Sequence, residues 1–365
     1  MFWRLCIVPV LLASMAACAV LPPAASPLSP TERNREIAAL LANAENEGAS
    51  GILRISHGGE LLFEGGFGSA SCSEHEEISP DHLFMIGSIT KDLTQLLAFV
   101  LEERGFLDLS LPVGYYLDTL SGPLADTSMM ALLDHVGGLP DLIDETGRPV
   151  PYSVEYDYIP VTRQQLIARA SLAQLQFSPG EEEYSNLGYQ LLAASYEAAT
   201  GMSFAELLRI YIYTPAQMTA TDFWFPNNSE REFTDGCRAN NVHWGNPIDD
   251  DMWQAQGPSW NLMGAGGLLS SAQSLEAFFL GVADGVFFTN AENAERYRRY
   301  RMPMSASRQQ LVMGPAGSNG IFNAAAFWAN SDRFSLILIT NRADHPAEGG
   351  LFRDLIRLFP AQSFR

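Results

Sequence analysis

The sequence predicts an α/β fold of the α+β kind, with one sheet assembled from the two ends of the chain and a helical region inserted between them. Three observations predict it. Near the N-terminus, apolar runs at 51–56 and 61–64 flank His57-Gly58-Gly59, the pattern of a β-hairpin. Near the C-terminus, residues 322–329 and 334–340 read as two neighbouring buried strands. From about 109 to 218 the apolar spacing is helical, broken by Gly and Pro turns, with no convincing strand.

Taken in order, the first segment is a leader rather than a structural element. Arg4 supplies a short positive region, and residues 5–17 form an apolar stretch too short to span a bilayer stably. Met15-Ala16-Ala17-Cys18 looks like a bacterial lipobox, in which Cys18 is lipidated and becomes the new N-terminus. Ordinary signal cleavage near Ala17 or Ala19 is the competing reading. Residues 1–18 are thus expected to be a signal peptide of lipoprotein type, and the Pro-rich 19–30 a tether. The folded domain is expected over 31–365, exported to the periplasm, with membrane contact only through a lipid on Cys18.

Thr31 is expected to cap a helix whose apolar stripe runs Ile37, Leu40, Leu41 and Ala44. After the hairpin, a helix opens at Ser88 and continues through Leu93, Leu96, Leu97, Val100 and Leu101. The helical insertion occupies about 109–220. Residues 221–261 are irregular and carry Trp224, Trp244, Trp253 and Trp260, either pocket wall or packed core. Residues 351–359 read as a closing helix. Cys72 and Cys237 remain in the folded body, and an oxidising compartment permits them to pair, but spacing does not decide whether they meet.

Composition narrows the function. With 47% hydrophobic and 18% charged residues among 365, the chain can bury a large core. A net charge of -20 argues against nucleic acid and anionic membrane surfaces as partners. The six histidines (57, 75, 82, 135, 243 and 345) show no paired metal spacing, and no cofactor is expected. Asp249-Asp250-Asp251 reads as a solvated loop.

The most informative feature is Lys91, the one lysine beside 21 arginines in a total of 22 basic residues. Lysine can release its proton when its surroundings favour that, and arginine cannot. Lys91 stands three residues after Ser88, on the same helical face, which is the geometry an activated serine nucleophile needs. A second constellation is Tyr184-Ser185-Asn186, where the phenol can serve as general base and the amide can both donate and accept.

With these motifs the chain resembles class C β-lactamases and their relatives: penicillin-binding proteins, D-aminopeptidases and β-lactamase-like esterases. The resemblance runs from about 31 to 359. It includes the Ser88-x-x-Lys91 segment, Leu132-Leu133-Asp134-His135-Val136-Gly137-Gly138-Leu139-Pro140, Tyr184-Ser185-Asn186, Pro215-Ala216-Gln217-Met218-Thr219-Ala220-Thr221 and 264–271. It implies a β-lactamase/transpeptidase-like fold, with an antiparallel sheet, flanking helices and an inserted helical lobe. It also implies Ser88 as the acylated nucleophile, with Lys91 and Tyr184 sharing the proton transfers. Asn186, Ser318 (through its backbone N–H) and Asn341 are implied to bind substrate, while His135 is implied to be structural.

One motif departs. The family places Lys-Thr-Gly or His-x-Gly on the strand beside the serine, and here Pro315-Ala316-Gly317-Ser318 stands there. Proline supplies no charge and no donor, so a substrate carboxylate loses its usual partner and Tyr184 loses a nearby cation. The expectation is a serine hydrolase acting on uncharged small-molecule esters, amides or peptides with weak or no β-lactamase activity. The alternatives are a class C-type β-lactamase or D-Ala peptidase, and a catalytically impaired relative that binds peptidoglycan fragments or a protein partner.

Overall fold

The computed structural model describes residues 28–153, 156, 159–223, 232–238, 242–243, 259–301, 312–329, 333–342 and 348–359. The expected leader, Cys18 and most of the tether lie outside these residues, as do Trp224, Trp244, Trp253 and Asp249 to Asp251.

The chain opens with α1 (Pro30–Asn46), the hairpin strands β1 (Gly51–His57) and β2 (Glu60–Phe67), and the short β3 (Phe84–Met85). Next come α2 (Thr90–Glu103), α3 (Arg163–Leu172), α4 (Asn186–Thr200), β4 (Thr221–Asp222) and β5 (Leu269–Ser270). The C-terminal part carries α5 (Ala272–Asp284), α6 (Ala291–Arg301), β6 (Val312–Met313), β7 (Ala316–Ser318), β8 (Asn323–Ala329), β9 (Phe334–Thr340) and α7 (Glu348–Arg357).

The sheet order is β2-β1-β9-β8, and β6 and β7 both pair with the far edge of β8. Every pairing in it is antiparallel, and β1 meets β9 in the register Gly51↔Thr340 to Ser56↔Ser335. The two chain ends thus meet in the middle of the sheet, as expected. Between 109 and 220 the described residues form helices, turns and irregular segments, with two isolated bridges (Pro112–Ser128 and Ile143–Pro149) and no extended strand.

Period-two alternation divides the core into two layers. Leu53, Ile55, Phe334, Leu336 and Leu338 point to one face, where Ile37 and Leu41 of α1 and Leu351 and Leu355 of α7 cover them. Ile52, Ile337, Ile339, Ala324 and Ala326 point to the other, into the larger core shared with α2, α4 and α5. Because both faces are covered, β9 is buried along its whole length, which accounts for its apolar run from Leu336 to Ile339. Burying a Leu or Ile side chain fully contributes roughly 1.5–3 kcal/mol.

One cap differs from expectation. Ser29, not Thr31, caps α1: its hydroxyl accepts from the Glu32 N–H, and the Glu32 carboxylate reaches back to the Ser29 N–H. Proline at the first helical position favours this start, since its missing N–H needs no partner there. The pairing that spacing left open is resolved as well: Cys72 and Cys237 form a disulfide, with Cα atoms 5.6 Å apart across 165 residues of sequence.

Candidate active site

Ser88 sits on a 3-10 turn, Gly87–Ile89, that runs directly into α2. Two glycines let this turn press against β7. Gly87 has a left-handed φ of 50°, and a Cβ on it would come within 2.7 Å of the Ser318 nitrogen. A Cβ on Gly317 would fall 2.1 Å from the Ile86 carbonyl oxygen and 2.8 Å from the Ser88 nitrogen. The amides of Ser88 and Ser318 are thereby brought to neighbouring positions.

The direction of the Ser318 N–H follows from the ladder. Ala326 N–H donates to the Pro315 carbonyl and Asn319 N–H to the Phe322 carbonyl, so those positions face β8. Hydrogen-bonding sides alternate along an antiparallel pair, so Ser318, paired with Asn323, turns its N–H to the opposite edge, where Ser88 lies. The Ser88 N–H belongs to the first turn of a helix, where amides have no intrahelical acceptor.

The side chains converge on one oxygen. Tyr184 Oη lies 2.6 Å from Ser88 Oγ, and Lys91 Nζ lies 3.3 Å from the same atom. Lys91 is buried, and its Nζ also donates to Asn186 Oδ1 at 2.6 Å and to the Ala265 carbonyl at 2.7 Å. Its three donors therefore have three acceptors. Nζ also lies 4.8 Å from the centre of the Tyr184 ring.

The segment 135–141 explains why Tyr184 and Asn186 point here. Ser185 caps α4 by accepting from the Gly188 N–H, and donates to the Pro140 carbonyl at 2.8 Å. Asp141 Oδ1 accepts from both the backbone N–H and the side-chain Nδ2 of Asn186, each at 2.8 Å. That fixes the amide so that its oxygen, not its nitrogen, meets Lys91. Burial raises the Asp141 pKa, against the Asn186 bonds and the Lys91 charge. Sequence reasoning missed Asp141, which directly follows the quoted motif ending at Pro140. It also missed the Ala265 carbonyl.

His135 is a platform. Its ring stacks on Tyr184 with centroids 4.7 Å apart, and its Nδ1 accepts from the Ser185 N–H. Burial first, and the Lys91 charge second, push its pKa down from 6.5 to about 4. The folded protein holds this imidazole neutral, so the stability it contributes is full above about pH 6.5. That contribution is lost as pH falls from 6.5 to 4, by up to about 3 kcal/mol. The raised pKa of Asp141 has the opposite sign and offsets part of the loss. Wild-type urea midpoints are expected to fall across this window and those of His135→Asn to fall less. Equal slopes would contradict this assignment.

Of the residues singled out, Ser88, Lys91, Tyr184, Asn186 and Ser318 line one cavity of about 920 Å³. Asn341 does not, and the expectation that it touches substrate is corrected. It is fully buried, and its Nδ2 donates to the Ser69 and Asp235 carbonyls beside the disulfide. Trp260 is partly buried against the core. Pro315 lines the cavity just ahead of β7, where the relatives' cation is expected.

A family model described as Beta-lactamase matches residues 34–358. The chain is 25% identical over 317 residues to a putative penicillin-binding protein, PbpX, of Bacillus subtilis, covering 85% of this chain and 74% of that one. It is 26% identical over 222 residues to the esterase EstB of Burkholderia gladioli, covering 54% and 55%. The chain spans only 37% of another Bacillus subtilis penicillin-binding protein that it matches. Among solved structures, the β-lactamase/D-alanine carboxypeptidase of Pseudomonas syringae superposes with a TM-score of 0.69 at 16% identity, over 88% of this chain and 99% of that one. This last likeness bears on the fold, which is β-lactamase/transpeptidase-like.

Proposed function

The chain belongs to the beta-lactamase family, and from that premise we propose that it is a serine hydrolase that forms an acyl-enzyme at Ser88. The observation that carries the reading is the approach of both Tyr184 Oη and Lys91 Nζ to Ser88 Oγ, at 2.6 and 3.3 Å. Two proton-carrying groups on one hydroxyl are what base-assisted attack requires.

In the proposed reaction, Ser88 Oγ bonds to the substrate carbonyl carbon while its proton passes to the Tyr184–Lys91 pair. The carbonyl oxygen, now negative, is received by the Ser88 and Ser318 amides. One such donor is typically worth about 100- to 1000-fold in rate. As the carbonyl reforms, the bond to the leaving group breaks, and the leaving atom takes the proton back from the pair. Water then repeats the sequence on the acyl-enzyme, releasing the acid. Asn186 and Ala265 accept two of the Lys91 hydrogens, which directs the remaining position on Nζ at Ser88 Oγ.

Uncharged esters or amides are the proposed substrates. Among the described residues, the cations lining the cavity are Lys91 and Arg301, and Arg301 is paired with Asp92. With Pro315 at the third motif, no described cation there is left to receive a substrate carboxylate. The name of the Burkholderia relative, an esterase, points the same way. We further propose export and lipidation at Cys18; the Cys72–Cys237 disulfide, a bond of oxidising compartments, supports export.

Wild-type protein is expected to hydrolyse p-nitrophenyl butyrate and Ser88→Ala to show only background. Equal rates in the two would overturn the reading. Efficient turnover of a carboxylate-bearing β-lactam would overturn the substrate class instead.

A further inference from the structure

Tyr152 reaches across the cleft. Its hydroxyl donates to the Asn319 carbonyl at 2.8 Å, from a position 167 residues away in sequence, and its ring lines the cavity that holds Ser88. Asn319 immediately follows Ser318. The turn after Ser318 is already braced internally: Asn319 Oδ1 accepts from the Ile321 and Phe322 amides, and Ser318 Oγ accepts from the Gly320 N–H.

The segment that carries Tyr152 is anchored on its other side. Val150 N–H donates to the Leu142 carbonyl, and Tyr156 Oη to the Ile143 carbonyl. Asn261 Nδ2 holds the Tyr156 carbonyl at 2.7 Å, and Ser259 Oγ holds that of Ile159 at 2.6 Å. Gln190 of α4 in turn holds the Asn261 carbonyl at 2.6 Å. Tyr152 stays 42% exposed and gains little from burial, yet its hydroxyl is tied to the residue after Ser318, in the cavity that Ser88 also lines.

Resting on the reading of Ser88 as nucleophile, we infer that Tyr152 is a specificity-determining residue that closes the Ser318–Asn319 end of the cleft and limits the length of the acyl group. The leaving atom must lie beside Tyr184 Oη or Lys91 Nζ to collect its proton. That leaves the β7 edge beyond Ser318 to the acyl chain, and the Tyr152 ring stands there. Its hydroxyl also makes it a positioning residue, because it holds the carbonyl next to the Ser318 amide.

Two alkyl fluorophosphonates, with a two-carbon and an eight-carbon chain on phosphorus, separate these statements. Ser88 Oγ bonds to phosphorus, fluoride leaves, and the serine proton departs with it, so intact mass follows the rate. Tyr152→Ala is expected to raise the ratio of long- to short-probe rate constants about 10-fold or more, the scale of an apolar pocket contact. Tyr152→Phe keeps the wall and should hold the wild-type ratio while slowing both probes about 5-fold, as for one hydrogen bond. An unchanged ratio in Tyr152→Ala overturns the wall, and wild-type rates in Tyr152→Phe overturn the positioning role. Wild type that labels with neither probe overturns the nucleophile reading, and the inference falls with it.

Discussion

Lys91→Arg is expected to lower kcat/KM for an activated ester about 1000-fold, within the range that general acid–base groups contribute. The charge survives this substitution, so the loss isolates geometry and proton transfer. Lys91 Nζ meets Ser88 Oγ, Asn186 Oδ1 and the Ala265 carbonyl around one tetrahedral nitrogen. A guanidinium spreads its donors over a plane and does not release a proton. It is also larger, and the site around Nζ is buried. The far-ultraviolet circular dichroism spectrum should match wild type, which separates lost chemistry from lost fold. An arginine variant that kept activity within about 10-fold, less than the contribution typical of general acid–base groups, would show that this position supplies charge alone.

Arg54→Ala is expected to destabilise the protein by about 3–5 kcal/mol, the usual cost of stranding a buried charge. Arg54 lies on β1, with Nη1 2.6 Å from Glu64 of β2 and Nε 2.6 Å from Glu276 of α5. Glu276 is buried at 6% exposure and also accepts from Ser335 Oγ of β9 at 2.6 Å. Removing the guanidinium leaves that carboxylate in the core with one hydroxyl for company. Urea unfolding reads the change, and Arg54→Met with Glu276→Leu should recover part of it, because the two more buried charges go together while the Glu64 carboxylate loses its guanidinium. A single-variant loss below about 1 kcal/mol, the scale of an exposed pair, would mean water reaches the network.

How far the sequence could be read depended on the range of each interaction. The Ser88–Lys91 relation spans three residues and is set by helical geometry, so it was legible without knowledge of the fold. The hairpin, β8 and β9 were legible because their apolar patterns are local. Tyr184 lies 96 residues from Ser88, and only the resemblance placed it at the site. Asp141 was missed because its role exists only once the chain folds it against the start of α4. Asn341 was misplaced for the same reason. The residue after a strand can face either side, and here the disulfide-linked segment claims it. The Ser29 cap was written in the sequence, as a hydroxyl followed by proline and then by glutamate three residues on, but Thr31 competed with it. Export and lipidation were read from residues outside those described.

Everything proposed for this cleft requires that Ser88 take on an acyl group. Intact-mass measurement of purified protein, minutes after mixing with excess p-nitrophenyl ester and quenching in acid, should show one added acyl mass, mapped by peptide digestion to the segment holding Ser88. Ser88→Ala should show none. An unmodified wild type that nevertheless hydrolyses the ester, or an adduct that persists in Ser88→Ala, would place the chemistry elsewhere.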